Sequence, residues 1–417
     1  MTDSPAIFHT GLAAHPEKKR TMKQPLDQPY SDRIIRRTEE TLMENRLMTA
    51  GYVSLDITPS FPHLKGDKPL REVIRPGKLV NTGAAAVACG GAVSNTGIAL
   101  HRLGADVVLT AKIGDDPFGK MIREEYREAG VQADFIVEEG TETSYTLALA
   151  VPGSDRCFLA DAGANDTFCP SDLKEEALER IQYFHFGYPT LMRNFYEEGG
   201  KALEEMYRHV KSLGIVTSLD VAAVDDDSDA GKADWRAILK RTLPYVDFFV
   251  PSIEELCYML DRERYDRWQR DFTDDICMHL SLKEDVIPLA GKALALGCRA
   301  ILLKCGAAGM YLATSSQEQM NRISEHFRPD GWGDLAIFED SYVPSRIRSG
   351  TGAGDTAIAA FLFGISHGVD PQMCMHMAAG CGALCITEYD AQSGIVSAEK
   401  LTEKIRAGWA KQHLIGE

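Results

Sequence analysis

The 417-residue chain has ten cysteines but no CxxC pair, so it carries none of the paired-thiolate ribbons or dithiol motifs that such spacing builds. Cations are outnumbered, 45 Lys and Arg against 61 Asp and Glu, for a formal net charge of −16. That balance argues against nucleic acid or an anionic membrane surface as a partner; a local amide-lined pocket for an anionic ligand stays open. No stretch approaches the roughly 18 uninterrupted apolar residues of a membrane span. No apolar core marks a secretory leader, so the thiols read as reduced and the setting as cytoplasmic. No Gly-x-Gly-x-x-Gly turn follows the first apolar run, which removes a dinucleotide dehydrogenase. Internal repeats and low-complexity tracts are absent as well.

What is present suits one large core: 44% of residues are hydrophobic and 25% charged. From Leu47 onward, short apolar runs alternate with amphipathic segments, the pattern of an α/β fold whose mostly parallel sheet is covered on both faces. Leu47 to Ile57 reads as one buried strand with Asp56 at its end. Further strands are expected at 107–113, 146–151, 183–186, 215–219, 248–250 and 300–303. Asp370-Pro371 predicts a helix start, with aspartate as cap and proline at the first position. Residues 1–45 read as an extension, with a polar tail and a helix capped by Ser31. Two polar stretches, 261–284 and 315–342, read as insertions, either surface elaborations or sources of substrate or partner contacts. Cys374, His376, Cys381 and Cys385 lie close together, but within an apolar helical run where cysteine and methionine are packing residues.

The most informative segment is Arg348-Ser349-Gly350-Thr351-Gly352-Ala353-Gly354-Asp355-Thr356, followed at once by an apolar helical stretch. A helix N-terminus presents unpaired N–H groups and the positive end of a dipole, so it holds an anion. Glycines allow a phosphate to approach the backbone. Asp355, delivered into the first turn beside that anion site, can take a proton from an attacking hydroxyl. A second segment, Gly90-Gly91-Ala92-Val93-Ser94-Asn95, opens another helix; Leu103-Gly104-Ala105 closes it, and Gly114-Asp115-Asp116-Pro117-Phe118-Gly119 follows the next apolar run.

Together these two segments resemble the two signature regions of the ribokinase-like (PfkB) carbohydrate kinase family, in order and rough spacing. The resemblance implies a three-layer αβα kinase domain over about residues 46–410, with a small β lid built from segments near 57–90 and 143–160. It implies ATP as co-substrate with Mg2+, and transfer to a hydroxyl of a sugar or sugar-like molecule. Asp355 takes the family's role of base, and the amides of Gly352, Ala353 and Gly354 that of the anion hole. Asp56, Gly90, Gly91 and Asn95 fall on substrate positions, with Asn165 nearby. Lys304, Gly306, Gly309 and Thr351 fall on the nucleotide side. Glu255 matches a glutamate that organises magnesium through water, although the accompanying asparagine is here Ser252; Asp220 is expected near the phosphates. The family's lids often pair between subunits, which implies a homodimer.

Two departures bear on cofactors. Ser349 stands where the family often has an aspartate that helps hold a monovalent cation, and Ala379 replaces an asparagine common near the adenine. A nucleoside kinase of the same fold is the alternative. The segment His185-Phe186-Gly187-Tyr188-Pro189 is more similar to sugar-kinase members. A non-catalytic binding regulator is a further alternative, marked by loss of the base or the glycine turn, and neither is lost.

Overall fold

A computed structural model describes residues 45–64, 70–151, 157–272 and 275–416. The expected tail and Ser31-capped helix lie outside the described residues, as does Lys68 of the expected lid.

Nine strands form one sheet in the order β13-β12-β11-β10-β9-β8-β1-β4-β5. They are β1 (Leu47–Gly51), β4 (Val107–Gly114), β5 (Gln132–Glu138), β8 (Tyr183–Gly187), β9 (Val216–Asp220), β10 (Phe248–Phe249), β11 (Ala300–Lys304), β12 (Gly309–Thr314) and β13 (Ala336–Asp340). Pairing is parallel from β5 through β11; β12 runs antiparallel to both of its neighbours. Alternate residues of each strand enter opposite layers. Leu47 joins one buried cluster with the helices Gly91–Leu103, Ala353–Ser366 and Pro371–Cys385. Met48 joins another with the helices Lys201–Ser212 and Ile253–Leu260. The fold is thus a three-layer αβα arrangement.

The first expected strand is two. After β1 the chain turns at Gly51, at φ +123°, and continues as β2 (Ser54–Pro59) in a separate four-stranded sheet. A Cβ on Gly51 would sit 2.3 Å from the carbonyl oxygen of Gly187. The smaller sheet has the order β3-β2-β6-β7, with β3 (Ala85–Gly90), β6 (Tyr145–Leu149) and β7 (Cys157–Asp161). Asp56 therefore lies inside β2, not at the end of the first strand. Register puts Ala88, Asp56, Thr146 and Ala160 in one cross-strand row, and Val87, Ile57, Leu147 and Leu159 in the next, on the opposite face.

The stretch 315–342 is not a surface elaboration. Trp332 is buried and packs edge-on against Phe248, Phe327 and Phe361, with ring centroids 5.5–5.9 Å apart. The same stretch supplies β13. Stretch 261–284 contains the exposed helix Arg262–Asp271, anchored by buried Trp268. The helix Pro371–Cys385 begins as expected: the Asp370 carboxylate accepts the Met373 N–H at 3.0 Å, with Pro371 first in the helix. Cys374, Cys381 and Cys385 are buried in its packing, and His376 instead bonds Glu339 at 2.7 Å.

Candidate active site

Chain order reverses about β1: from there the chain builds outward first through β4 and β5, then through β8, β9, β10 and β11 on the other side. Open α/β sheets bind ligands at the carboxyl ends of strands near such a point. Side chains from well-separated stretches of the chain converge there.

The helix Ala353–Ser366 starts from Gly352, at φ +76°, and its first turn carries Asp355, which is 4% exposed. The Asn95 amide donates to Asp355 Oδ2 at 2.9 Å, and the Tyr188 hydroxyl donates to Oδ1 at 2.7 Å. Burial lifts the Asp355 carboxyl above the ordinary carboxylate range; the Tyr188 hydrogen bond, the nearby charge of the Lys304 ammonium and the Asn95 hydrogen bond oppose that rise. A carboxylate whose basicity burial raises suits proton abstraction from a hydroxyl. Asn95 comes from the helix Gly91–Leu103, which packs on the Asp355 helix; the Thr96 hydroxyl donates to the Asp355 carbonyl at 3.4 Å.

A buried charge cluster lies beside Asp355. Lys304, the last residue of β11, pairs with Asp220, the last residue of β9, at 2.8 Å; Asp220 is 1% exposed. The Lys304 side chain runs under the glycine turn, with Cδ, Cε and Nζ 3.5–3.7 Å from the Cβ position of Gly354. Glu255 accepts the Ser252 N–H at 2.7 Å, while the Ser252 hydroxyl accepts the Glu255 N–H at 3.2 Å. Ser252, where an asparagine was expected, thus completes a reciprocal cap of the helix Ile253–Leu260. Burial raises Asp220 and Glu255, and the Lys304 ammonium opposes both. Burial works against the Lys304 charge, but Asp220 and Glu255 together hold it above its usual value.

On the other side, the Ser54 hydroxyl donates to Asp56 Oδ1 at 2.7 Å. Burial pushes the half-buried Asp56 up to about 6. A Cβ on Gly90 would fall 2.1 Å from Asp56 Oδ2, so only glycine leaves that carboxylate its place. Gly91 follows at φ +81°. At the end of β11, Gly306–Ala308 forms a turn with Gly306 and Ala307 exposed, closed by the Cys305 N–H on the Gly309 carbonyl at 2.8 Å. Thr351 stands half-buried just before the helix, its N–H on the Ser349 hydroxyl at 3.2 Å.

Asn165 departs from its expected place among the substrate contacts. It is fully buried, and its amide brackets Val53, accepting from the N–H at 3.2 Å and donating to the carbonyl at 2.8 Å, with a third bond to Ala162. It braces the link between the two sheets. Tyr188 was not anticipated as a site residue. It belongs to the segment Phe186-Gly187-Tyr188-Pro189, but only the fold brings it to Asp355, 167 residues away.

Known proteins share this fold and these signature segments. The model of the pfkB family carbohydrate kinases matches residues 68–398. An uncharacterised sugar kinase of Archaeoglobus fulgidus is 22% identical over 299 residues, covering 71% of this chain and 97% of that protein. Among solved structures, Arabidopsis thaliana ribokinase complexed with ribose and ATP superposes with a TM-score of 0.63 at 17% identity, over 86% of this chain and 98% of that one. A ribokinase II structure from E. coli with ATP and Mg2+ gives 0.62 at 18% identity, over 87% and 99%. With four-fifths of its length matched to one family model and the two signature segments joined by the Asn95–Asp355 hydrogen bond, the chain belongs to the pfkB family of carbohydrate kinases and is an ATP-dependent sugar kinase.

Proposed function

We propose that the enzyme transfers the γ-phosphoryl group of ATP to a hydroxymethyl group of a sugar or sugar-like acceptor, with Asp355 as the base. The observation that carries this reading is the buried Asp355 carboxylate in the first turn of a helix, next to the backbone amides of Gly352, Ala353 and Gly354. Asp355 takes the acceptor proton as the new phosphorus–oxygen bond forms, and the helix N-terminus stabilises charge on the transferring group. Asp56, Asn95 and the close backbone at Gly90 and Gly91 receive the acceptor. The Gly306–Gly309 turn, exposed at Gly306 and Ala307, and Thr351 receive the nucleotide.

An excess of carboxylates supports a magnesium ion here. Asp220, Glu255 and Asp355 bring three carboxylates around the single ammonium of Lys304, a formal charge of −3 + 1 = −2 in a buried setting. Asp220 and Glu255 would hold the ion, the latter through water, since Mg2+ keeps several waters. Bound there with ATP, it would neutralise phosphate charge.

The four-stranded sheet acts as the lid. Its Asp56 row belongs to the site, and closing it excludes water. The opposite row, with Val87 40% and Leu159 52% exposed, supports pairing with a second copy. The ten free thiols support a cytoplasmic enzyme. Among the described residues, no helix is long and apolar enough to cross a membrane.

ADP formation from Mg·ATP over a panel of sugars, sugar acids and nucleosides tests the reading. A sugar or sugar acid is expected to raise the rate well above that without acceptor. A response to nucleosides alone assigns the chain to the other branch of the fold.

Two further results are expected. Gly90→Ala pushes a methyl group into Asp56, so the acceptor KM rises while the ATP KM stays put, in steady-state kinetics varied in each substrate. Ser349 offers a hydroxyl turned onto Thr351, with no carboxylate to hold a cation. Rates in potassium chloride and in choline chloride at equal ionic strength are therefore expected to match; strong potassium activation would contradict this.

A further inference from the structure

Tyr188 follows directly on β8 with φ +66° and ψ +42°, one of three non-glycine residues at positive φ among those described. A tyrosine in this region is strained and persists only where its surroundings fix it. Here the fixing is explicit. The Tyr188 N–H donates to the Asp220 carbonyl at 3.2 Å, its carbonyl accepts from the Leu191 N–H at 3.0 Å, and Pro189 follows at once. The ring centroid lies 6.3 Å from that of Tyr52. The product of this strain is one contact: the phenol hydroxyl 2.7 Å from Asp355 Oδ1.

That contact has the geometry the reaction needs, with the wrong partner. An O–H donor at hydrogen-bond distance from a carboxylate oxygen is what an acceptor alcohol presents to its base. The other carboxylate oxygen is held by Asn95. We infer that Tyr188 is a specificity-determining residue: its hydroxyl occupies the acceptor's place on Asp355 until a sugar hydroxyl displaces it, and so denies that place to water. The inference rests on the reading of Asp355 as base.

The reaction it suppresses is hydrolysis of ATP. In that step the water oxygen bonds to the γ-phosphorus and the bond from phosphorus to the bridging oxygen of ADP breaks. The water proton passes to Asp355, leaving ADP and phosphate. A kinase whose base stands open to water hydrolyses ATP whenever no sugar is bound.

The test needs no knowledge of the sugar. Phosphate release from Mg·ATP in water is measured for the full chain, for Tyr188→Phe, for Asp355→Asn and for the double variant, with thermal midpoints confirming that each folds. Phenylalanine keeps the ring and its contact with Tyr52 and removes only the hydroxyl. The expected result is hydrolysis about tenfold faster in Tyr188→Phe, the factor one lost hydrogen bond is worth, and loss of that gain in the double variant. Hydrolysis in Tyr188→Phe no faster than in the parent overturns the guard role and leaves the base assignment intact. If the double variant hydrolyses ATP as fast as Tyr188→Phe alone, Asp355 is not the base, and both readings fall together.

Discussion

Asp355→Asn is expected to lower kcat by at least about 10²–10⁴-fold, the range that general-base catalysis supplies, while Mg·ATP and the acceptor still bind. The amide keeps the shape of the carboxylate but accepts no proton. Two neighbours that now donate to Asp355 keep their backbone positions: Asn95 lies in a packed helix, and Tyr188 is pinned by its bonds to Asp220 and Leu191. Stability is expected to move the other way at neutral pH. The folded-state pKa of Asp355 lies above its ordinary value, so its ionised form is disfavoured by folding. Such a group favours the fold fully below its unfolded pKa, and that contribution is lost as pH rises through the folded one. At pH 7 the loss is in force, and replacing the carboxyl with an amide relieves it. The thermal midpoint of Asp355→Asn at pH 7 should equal or exceed the parent's. A variant that is both inactive and markedly less stable would show that the aspartate serves the fold.

The second large effect is expected from Lys304→Met. Lys304 is the single cation of the buried cluster, and Asp220 is 1% exposed. Removing one partner of a buried ion pair typically costs about 3–5 kcal/mol, because the other charge is left without compensation. The pH dependence identifies the cause. Burial already raises Asp220 and Lys304 opposes it; with the ammonium gone, the carboxyl rises further. A carboxyl raised in this way is harmless when protonated and costly when ionised. The deficit of Lys304→Met should therefore be small near pH 4 and grow as pH rises toward 8, read as the difference in thermal midpoint from the parent. Lys304 also lies beneath Gly354 at the start of the anion-holding helix. Loss of its charge should lower kcat by about 10²-fold, the scale of one electrostatic contact to a transition state, even at acidic pH where the fold is preserved. An even deficit across pH would point to lost packing instead.

Local chemistry explains what the sequence revealed. The Asp370-Pro371 cap and the glycine turn before Asp355 are written in consecutive residues, so their structures could be read without a fold. The parallel strands were visible as short apolar runs because both their faces are buried. The edges were harder. β5 is only half-buried and β7 largely exposed, so neither shows a continuous apolar run. The break at Gly51 hid within eleven apolar-leaning residues, because a change of sheet needs one glycine at positive φ and leaves composition unchanged. Trp332 looked like part of a polar insertion; a single buried aromatic gives no periodicity.

The site was legible in its turns and illegible in its contacts. Asp355, Gly90 and Asn95 come from motifs. The pairing of Lys304 with Asp220 spans 84 residues and that of Tyr188 with Asp355 spans 167. Such bonds exist only once the strands are ordered in the sheet. Asn165 shows the converse: its Gly-Ala-Asn setting resembles a substrate contact, yet all its bonds described here go to the backbone at Val53 and Ala162.

The most direct test of the account follows the γ-phosphoryl group itself. The full chain is given Mg·ATP labelled at the γ-phosphate and a panel of sugars, sugar acids and nucleosides, and the labelled products are separated. The account predicts label in a phosphate ester of one sugar or sugar acid, absent when Asp355→Asn replaces the parent. Label that appears only as inorganic phosphate across the panel, or ester formed equally fast by Asp355→Asn, would contradict it.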